Sequence, residues 1–155
     1  MSAQHDRPRM ITNPPIIVIL ALLLGWFLEW LQPIPFLSAP VCYYIGGVVF
    51  LLGLPLALPA VVQFWRARTS LIPYRPSTAL VVKGPYRYSR NPLYIALTIH
   101  YLGIAIAARL PWAIVLIPVM LVLLTWWVIV PEENYLTAKF GEPYIRYRSQ
   151  VRRWI

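Results

Sequence analysis

The chain has 155 residues, of which 59% are hydrophobic and 12% are charged. Its apolar residues gather in long runs rather than in the short periodic stripes of a soluble core, which predicts that lipid is the solvent. The net charge of +9 alone would suit nucleic acid, but the charges flank apolar runs as they do in membrane proteins, so nucleic acid is not an expected partner. The single cysteine, Cys42, cannot form an intrachain disulfide, which argues against a secreted scaffold.

Four apolar runs are each close to the roughly 20 residues that cross about 30 Å of hydrocarbon. The runs are 16–31, 41–65, 92–110 and 112–130. They predict an all-α polytopic membrane protein, a single membrane domain over 1–155 with about four transmembrane helices. A signal peptide is the weaker interpretation of the first run, because Gln32-Pro33-Ile34-Pro35 follows it without a small-x-small cleavage site.

The first two runs carry different helix signals. We expect a polar, frayed segment over 1–13, a first helix that starts at Asn13-Pro14-Pro15, and an interfacial position for Glu29. Glycines and prolines in the second run predict a kinked helix that packs closely against a neighbour, with no functional role assigned to them. These residues are Gly46, Gly47, Gly53, Pro55 and Pro59.

The polar loop 66–91 is too hydrophilic for lipid and too short to be a domain. Within it we expect an extended segment near 78–82, followed by a turn at Gly84-Pro85. Only Leu110-Pro111 separates the third and fourth runs, which predicts a tight antiparallel helical hairpin.

After Pro131, aromatic and basic residues recur at helical spacings. Residues 131–155 are therefore predicted to form a basic amphipathic helix at the membrane interface, interrupted near Gly141 and Pro143. The tyrosines and arginines of 144–153 are expected on the membrane-lying face of this helix.

The basic residues are distributed unequally across a four-span arrangement. Of the 14 Lys and Arg residues, two precede the first run, six lie in the 66–91 loop, five follow the fourth run, and Arg109 alone lies at the other end. The positive-inside rule then places both termini and the loop in the cytosol. We expect a multi-pass protein of a prokaryotic inner (plasma) membrane, with membrane lipids around its basic rim.

Three polar stretches on this face hold most of the functional groups: 83–88, 89–94 and 132–136. The second forms the mouth of the third span and the third follows the fourth span, so the hairpin should bring them together. A proline-restrained loop, tyrosine faces and two carboxylates suit a ligand with a cation, an adenine-like ring and hydroxyls. A sulfonium compound meets that description.

These stretches match an ordered family pattern. Gly84-Pro85-Tyr86, Arg90-Asn91-Pro92-Leu93-Tyr94, a hydrophobic hairpin and Glu132-Glu133-Asn134-Tyr135-Leu136 resemble the isoprenylcysteine carboxyl methyltransferase family and its phospholipid methyltransferase relatives. The resemblance covers roughly 71–155. It implies an integral membrane methyltransferase that binds S-adenosylmethionine without a Rossmann domain, at the cytosolic mouth of the 92–130 hairpin.

The resemblance also implies which residues act. Arg90, Tyr94 and Glu132 are the expected catalytic residues of an in-line methyl transfer, and no metal is required. The residues implied to bind the cofactor are Thr78, Ala79, Leu80, Val81, Tyr86, Asn91, Pro92, Leu93, Tyr94 and Glu132.

Two positions depart from the best-known eukaryotic members. Asn91 stands where they have His, and Val128 stands where they have an Arg associated with the substrate carboxylate. Both departures weaken the expectation of a prenylcysteine acceptor. A lipophilic or small acceptor therefore remains open, whether prenylcysteine, phospholipid, or a small thiol or amine.

Other interpretations of single residues stay open. Tyr86 and Tyr94 could be interfacial aromatics, and one of Glu132 and Glu133 could serve the helix N-terminus, although we favour Glu132 for the ligand. Either Arg87 or Arg90 could bind headgroups or pair with a glutamate. His100 is expected to be a packed histidine bonded to a neighbouring helix.

Two alternative functions also remain. One is a non-enzymatic protein that binds lipid or supports assembly, and the other is a relative of membrane reductases. The shortness of the chain argues against the reductase.

Overall fold

The computed structural model describes residues 11–71 and 76–155. The predictions for the polar N-terminal segment before residue 11, with Arg7 and Arg9, and for Arg75 fall outside the described residues. Within the described ranges every regular element is helical, which confirms the all-α prediction. The helices are α1 Pro14–Leu31, α2 Ala39–Arg66, α3 Pro92–Ala107, α4 Pro111–Val115, α5 Ile117–Leu124, α6 Val130–Phe140 and α7 Glu142–Gln150, with a 3-10 turn Gly84–Arg87 and a π-helical turn Thr125–Ile129.

Three described helical segments are long and apolar enough to cross a membrane: Pro14–Leu31, Ala39–Arg66 and Ile117–Phe140. The predicted third span is apolar but shorter than expected, since α3 ends at Ala107 after 16 residues. The fold is that of a multi-pass membrane protein with three candidate spans among the described residues, and the predicted fourth span, at α3, stays a prediction.

The helix of the fourth apolar run continues past Pro131 to Phe140, whereas the predicted membrane boundary near Val130 stays a prediction. Proline has no N–H to offer the carbonyl four residues earlier, and its ring crowds that carbonyl. Here the preceding turn widens into a π-helix, and the carbonyl of Trp127 accepts a hydrogen bond from the Ile11 N–H at 3.2 Å instead. The chain therefore satisfies this carbonyl with a distant residue.

Small residues bring α2 and α3 into close contact. A Cβ atom at Gly46 would lie 2.6 Å from the Gly103 carbonyl oxygen, and one at Gly53 would lie 2.6 Å from the His100 ring. Gly47 differs, because a Cβ there would meet no described atom within 4 Å. The predicted close packing of the second run is confirmed, and it makes α2 the main neighbour of α3. The helix runs on through its two internal prolines, and its predicted kink stays a prediction.

The third and fourth runs also form the predicted hairpin. Arg109 adopts a left-handed backbone conformation with φ of 57° at the turn. Below the turn, the buried Tyr101 hydroxyl donates to the Ala113 carbonyl at 2.7 Å, and a Cβ at Gly25 would lie 2.6 Å from that of Ala113. The core thus joins α1 to both arms of the hairpin. Its buried side chains are Ile17, Val18, Tyr101, Ala105, Ala113, Met120, Leu124 and Val128.

The helices gather the chain's polar features at two opposite ends. At one end, the Trp112 indole N–H donates to the Gln32 carbonyl at 2.8 Å, and Glu29 Oε1 accepts from the Ile34 N–H at 3.0 Å. At the other end, the start of α3 meets the start of α6, and the loop 76–91 covers them. This second end is called the mouth below.

The loop and the C-terminal segment differ in part from their predictions. Residues 76–83 form no regular strand, although the turn at Gly84-Pro85 is present and Gly84 has a φ of 62°. The predicted break in the C-terminal helix is also present, at Gly141 with a φ of 60°. The break turns α7 back over the loop, because the Tyr147 hydroxyl donates to the Tyr86 carbonyl at 2.7 Å.

Candidate active site

Tyr94 and Glu132 face each other across the mouth. Tyr94 lies in the first turn of α3 and Glu132 in the first turn of α6. The tyrosine hydroxyl donates to Glu132 Oε2 at 2.9 Å. This bond holds one carboxylate oxygen and joins the two helices that flank the mouth.

Glu133 forms a buried ion cluster beside this pair. Glu133 Oε1 lies 3.0 Å from Arg90 Nη1. Arg153 donates through Nε to Glu133 Oε1 at 3.0 Å and through Nη2 to Glu133 Oε2 at 2.8 Å. The hydrogen bonds to Glu133 raise the pKa of Arg153, which remains a cation. The predicted ion pair of an arginine with a glutamate is confirmed for Arg90, whereas Arg153 was missed.

Arg90 keeps an unsatisfied donor. Its side chain is only 10% exposed, and its Nε is buried with no hydrogen-bond partner among the described residues. Leaving a buried charged donor without a partner is costly, so such a group indicates a position where an acceptor can bind. Arg90 also lines both cavities described next.

Two of the cavities at the mouth share lining residues around Arg90, and these two differ in size. The larger has a volume of about 510 Å³ and lies between the starts of α1 and α3 and the end of α2. The smaller has a volume of about 50 Å³ and lies between the 77–81 segment and the C-terminal helices. The residues that line both are Phe64, Tyr86, Arg90, Asn91 and Glu132.

Tyrosines of the C-terminal segment turn inward rather than toward a membrane surface. Tyr144 is buried, and both Tyr144 and Tyr147 line the smaller cavity. The predicted membrane-lying face is therefore wrong for these two residues and for Arg153. Burial raises the pKa of Tyr147, and it raises that of Tyr86 together with the nearby Glu132 charge, so both hydroxyls stay protonated at neutral pH.

The family model of phospholipid methyltransferases matches residues 41–143. This match spans α2, α3 and the hairpin and includes the Tyr94–Glu132 pair. The chain belongs to the phospholipid methyltransferase family. No curated protein and no solved structure matches it.

Members of the phospholipid methyltransferase family are S-adenosylmethionine-dependent membrane methyltransferases, so the enzyme class and the cofactor inferred from the motifs are confirmed. The family match also sets aside the non-enzymatic and reductase alternatives. It leaves the acceptor and the roles of single residues as predictions.

The residues at the mouth fit such a cofactor. The larger cavity lies within the range of about 300–1,000 Å³ that is usual for ligand pockets. Glu132 offers acceptor oxygens for an ammonium or for hydroxyls, the Arg90 Nε offers a donor for a carboxylate, and Phe64 and Tyr86 offer aromatic faces.

The predicted cofactor residues occupy different places. Ala79, Leu80 and Val81 line the smaller cavity, Leu93 and Tyr94 line the larger one, and Asn91 lines both. Two residues line neither cavity as described. Pro92 is fully buried, and the Thr78 hydroxyl donates to the Arg68 carbonyl at 3.0 Å.

Several lining residues escaped sequence reasoning. Phe64 belongs to the end of an apolar run that predicts only a span, and Asn13 belongs to a helix start. The spacing of Tyr144 and Tyr147 marks one helix face, and this signal could have found them, although it does not say which face turns inward.

Two other predictions concern residues away from the lining. His100 packs against the Phe50 ring with centroids 4.5 Å apart, as predicted, but its buried Nε2 has no partner in the described structure. Val128 is fully buried in the core. No cluster of three or more metal-ligating side chains occurs among residues 11–71 and 76–155.

Proposed function

We propose that this protein transfers a methyl group from S-adenosylmethionine to a lipophilic or small acceptor at the mouth. One observation carries the proposal: the two cavities share a wall that contains Arg90, Asn91 and Glu132. A cofactor bound at these residues and an acceptor bound beside it in the larger cavity would contact each other directly. Group transfer needs this kind of contact between two bound molecules.

The shared wall and the 79–81 segment are the proposed cofactor-binding residues. When bound, S-adenosylmethionine supplies a methyl group on a sulfonium whose positive charge is lost on transfer. Glu132 provides a negative charge near this cation, and its hydrogen bond from Tyr94 keeps the carboxylate in place. Arg90 provides the free Nε donor for an anionic group of the ligand.

The apolar part of the larger cavity, away from the shared wall, is the proposed acceptor compartment. Apart from the shared wall, apolar side chains predominate in its lining, which favours a lipophilic acceptor and helps to exclude water from the reacting groups. It lies between the starts of two helices, so we propose that the acceptor enters from the membrane while the cofactor enters from the cytosol. The residues that line this cavity alone are Asn13, Pro14, Pro15, Leu71, Leu93, Tyr94 and Leu97.

The distribution of charge supports a cytosolic mouth. Arg66 ends α2 at the mouth, and the C-terminal helix that covers the loop carries Arg146 and Arg148. The described basic residue at the opposite end is Arg109. By the positive-inside rule, the mouth and both termini face the cytosol.

A methyl-transfer assay tests the proposal. Purified protein in detergent is given S-adenosylmethionine with a labelled methyl group and three acceptor sets: membrane lipid extract, isoprenylated thiols and simple thiols. We expect label in the lipid extract or the isoprenylated thiols, and a preference for simple thiols would contradict a lipophilic acceptor. Absence of transfer to all three would contradict the proposed function.

A matched pair of variants connects the activity to the mouth. Tyr94→Phe removes the hydroxyl that holds Glu132 and should lower kcat/KM about tenfold. Tyr88→Phe removes the same group from a neighbouring tyrosine that is 83% exposed, and its activity should match the wild type. Equal effects of the two changes would contradict the assigned site.

A further inference from the structure

Arg152 and Arg153 lie beyond the segment that the family model matches, and both contact residues of the mouth. The Arg152 carbonyl accepts from the Arg90 N–H at 2.9 Å. The Arg153 carbonyl accepts from Asn91 Nδ2 at 2.9 Å and from the Ser89 hydroxyl at 3.3 Å. The chain terminus therefore holds the backbone or side chain of three successive residues at the start of α3.

The side chain of Arg153 also contacts the mouth, through Glu133. Its Nε and Nη2 donate to the two oxygens of Glu133, a planar two-point contact that fixes the plane of the carboxylate. The Arg90 contact to Oε1, at 3.0 Å, is an ion pair without hydrogen-bond alignment. Glu133 is thus bound mainly by Arg153.

We propose that Arg153 is a positioning residue of the active site, which holds Glu133 so that Arg90 keeps its Nε available to a ligand. Without Arg153, the freed carboxylate of Glu133 can rotate and take two nitrogens of Arg90 in a bidentate pair. That pair would withdraw Nε from the cavities. The ligand would then lose one charge-assisted hydrogen bond.

The Arg153 carbonyl has a second, separate effect on Asn91. Its bond to Nδ2 fixes the orientation of an amide that lines both cavities. A side-chain substitution at position 153 keeps this carbonyl, so it isolates the contribution that passes through Glu133. The inference rests on the proposed function only for the identity of the ligand, S-adenosylmethionine.

The test measures binding rather than turnover. Isothermal titration calorimetry of the full chain in detergent with S-adenosylhomocysteine gives the Kd for wild type, Arg153→Gln and Arg153→Lys. We expect Arg153→Gln to weaken binding about tenfold, since one hydrogen bond to a charged group is lost. Arg153→Lys keeps the charge but lacks the planar guanidinium, so its Kd should lie between those of the wild type and Arg153→Gln.

Arg152→Gln is the matched control. It removes the same charge from the adjacent position, where the side chain is exposed, and keeps the carbonyl that Arg90 contacts. Its Kd should stay within about twofold of the wild type. An equal loss in the two variants would show a general charge effect and overturn the proposal.

A double-mutant cycle tests the path through Glu133. If Arg153 acts through Glu133, the Arg153→Gln change should add almost nothing to the Kd in a Glu133→Gln background. Additive losses would show that Arg153 contacts the ligand by itself, and would overturn the proposal. Thermal unfolding shows which variants are folded. If the glutamine variants do not fold, the Kd of Arg153→Lys for S-adenosylhomocysteine decides between the outcomes.

The two proposals fail in different ways. Absence of S-adenosylhomocysteine binding by the wild type contradicts the proposed function. Normal binding by the wild type with an unchanged Kd in Arg153→Gln overturns the positioning role and leaves the proposed function in place.

Discussion

The two ends of the helix bundle use polar groups differently. At the mouth, side-chain contacts join residues that are far apart in the chain, such as Asn91 to Arg153 and Tyr94 to Glu132. At the opposite end, Glu29 accepts from the backbone of Ile34, five residues later, and its Oε2 is buried with no partner in the described part of the chain. A carboxylate at that end closes a turn, whereas carboxylates at the mouth organise a cavity.

This difference separates function from stability. Substitutions at the mouth that keep the ion cluster should impair activity, because the ligand meets Glu132 and Arg90. Substitutions at the α2–α3 contact or at the far turns should affect mainly the free energy of unfolding, whereas substitutions in the ion cluster should affect both stability and ligand binding.

The largest effect is expected for Glu132→Gln. Glu132 lines both cavities, and the amide keeps the shape of its side chain but cannot carry the negative charge that a carboxylate would present to the sulfonium. We expect kcat/KM for methyl transfer to fall at least about 100-fold, the usual effect of removing one electrostatic contact to a transition state. The control is Glu142→Gln, an exposed glutamate in the first turn of α7. If Glu132→Gln kept the kcat/KM of the wild type, the assignment of function to the mouth would be contradicted.

Glu133→Ala should be the most destabilising change at the mouth. It removes the ion-pair partner of Arg90, whose side chain is 90% buried, and that of Arg153 as well. We expect a loss of about 3 kcal/mol in the free energy of unfolding, measured by denaturation in mixed micelles. A stability equal to that of Glu142→Ala would show that the ion cluster is not structural.

The α2–α3 contact, which joins the two ends, offers a matched pair of adjacent glycines. Gly46→Ala places a Cβ 2.5 Å from the Ala107 backbone nitrogen and should cost about 2 kcal/mol of stability. Gly47→Ala meets no described atom within 4 Å and should leave stability unchanged or slightly raised. Thermal unfolding of both variants in one detergent makes the comparison, and equal melting temperatures would contradict the packing.

The smallest effect is expected at the far end. Trp112→Phe removes the indole N–H that donates to the Gln32 carbonyl. We expect a loss of about 1 kcal/mol of stability and an unchanged KM for S-adenosylmethionine. A raised KM would show that the far turns control the mouth.

Much of the fold could be predicted because hydrophobic runs are local signals. The runs located α1 and α2 to within two residues at either end, and the hairpin brought Tyr94 to Glu132 as expected. The ion pair of Arg90 was also predictable, since few acids lie on the basic face. These features depend on composition and short spacings.

What could not be predicted depends on contacts between distant residues. Pro131 is a helix-end signal by itself, but in the structure a π-helical turn precedes it and the Trp127 carbonyl accepts from the Ile11 N–H. Gly46 and Gly103 lie on different runs, so their contact appears only when α2 and α3 pack. In the sequence Arg153 is one of several basic residues near the C-terminus, and only the folded structure shows its contact with Glu133.

The most direct test of the central claim is the binding of S-adenosylhomocysteine, measured by calorimetry on the wild type, Glu132→Gln and Trp112→Phe. We predict one site on the wild type, a Kd at least about tenfold weaker for Glu132→Gln, and an unchanged Kd for Trp112→Phe. Failure of the wild type to bind, or equal weakening by both changes, would contradict a cofactor site at the mouth.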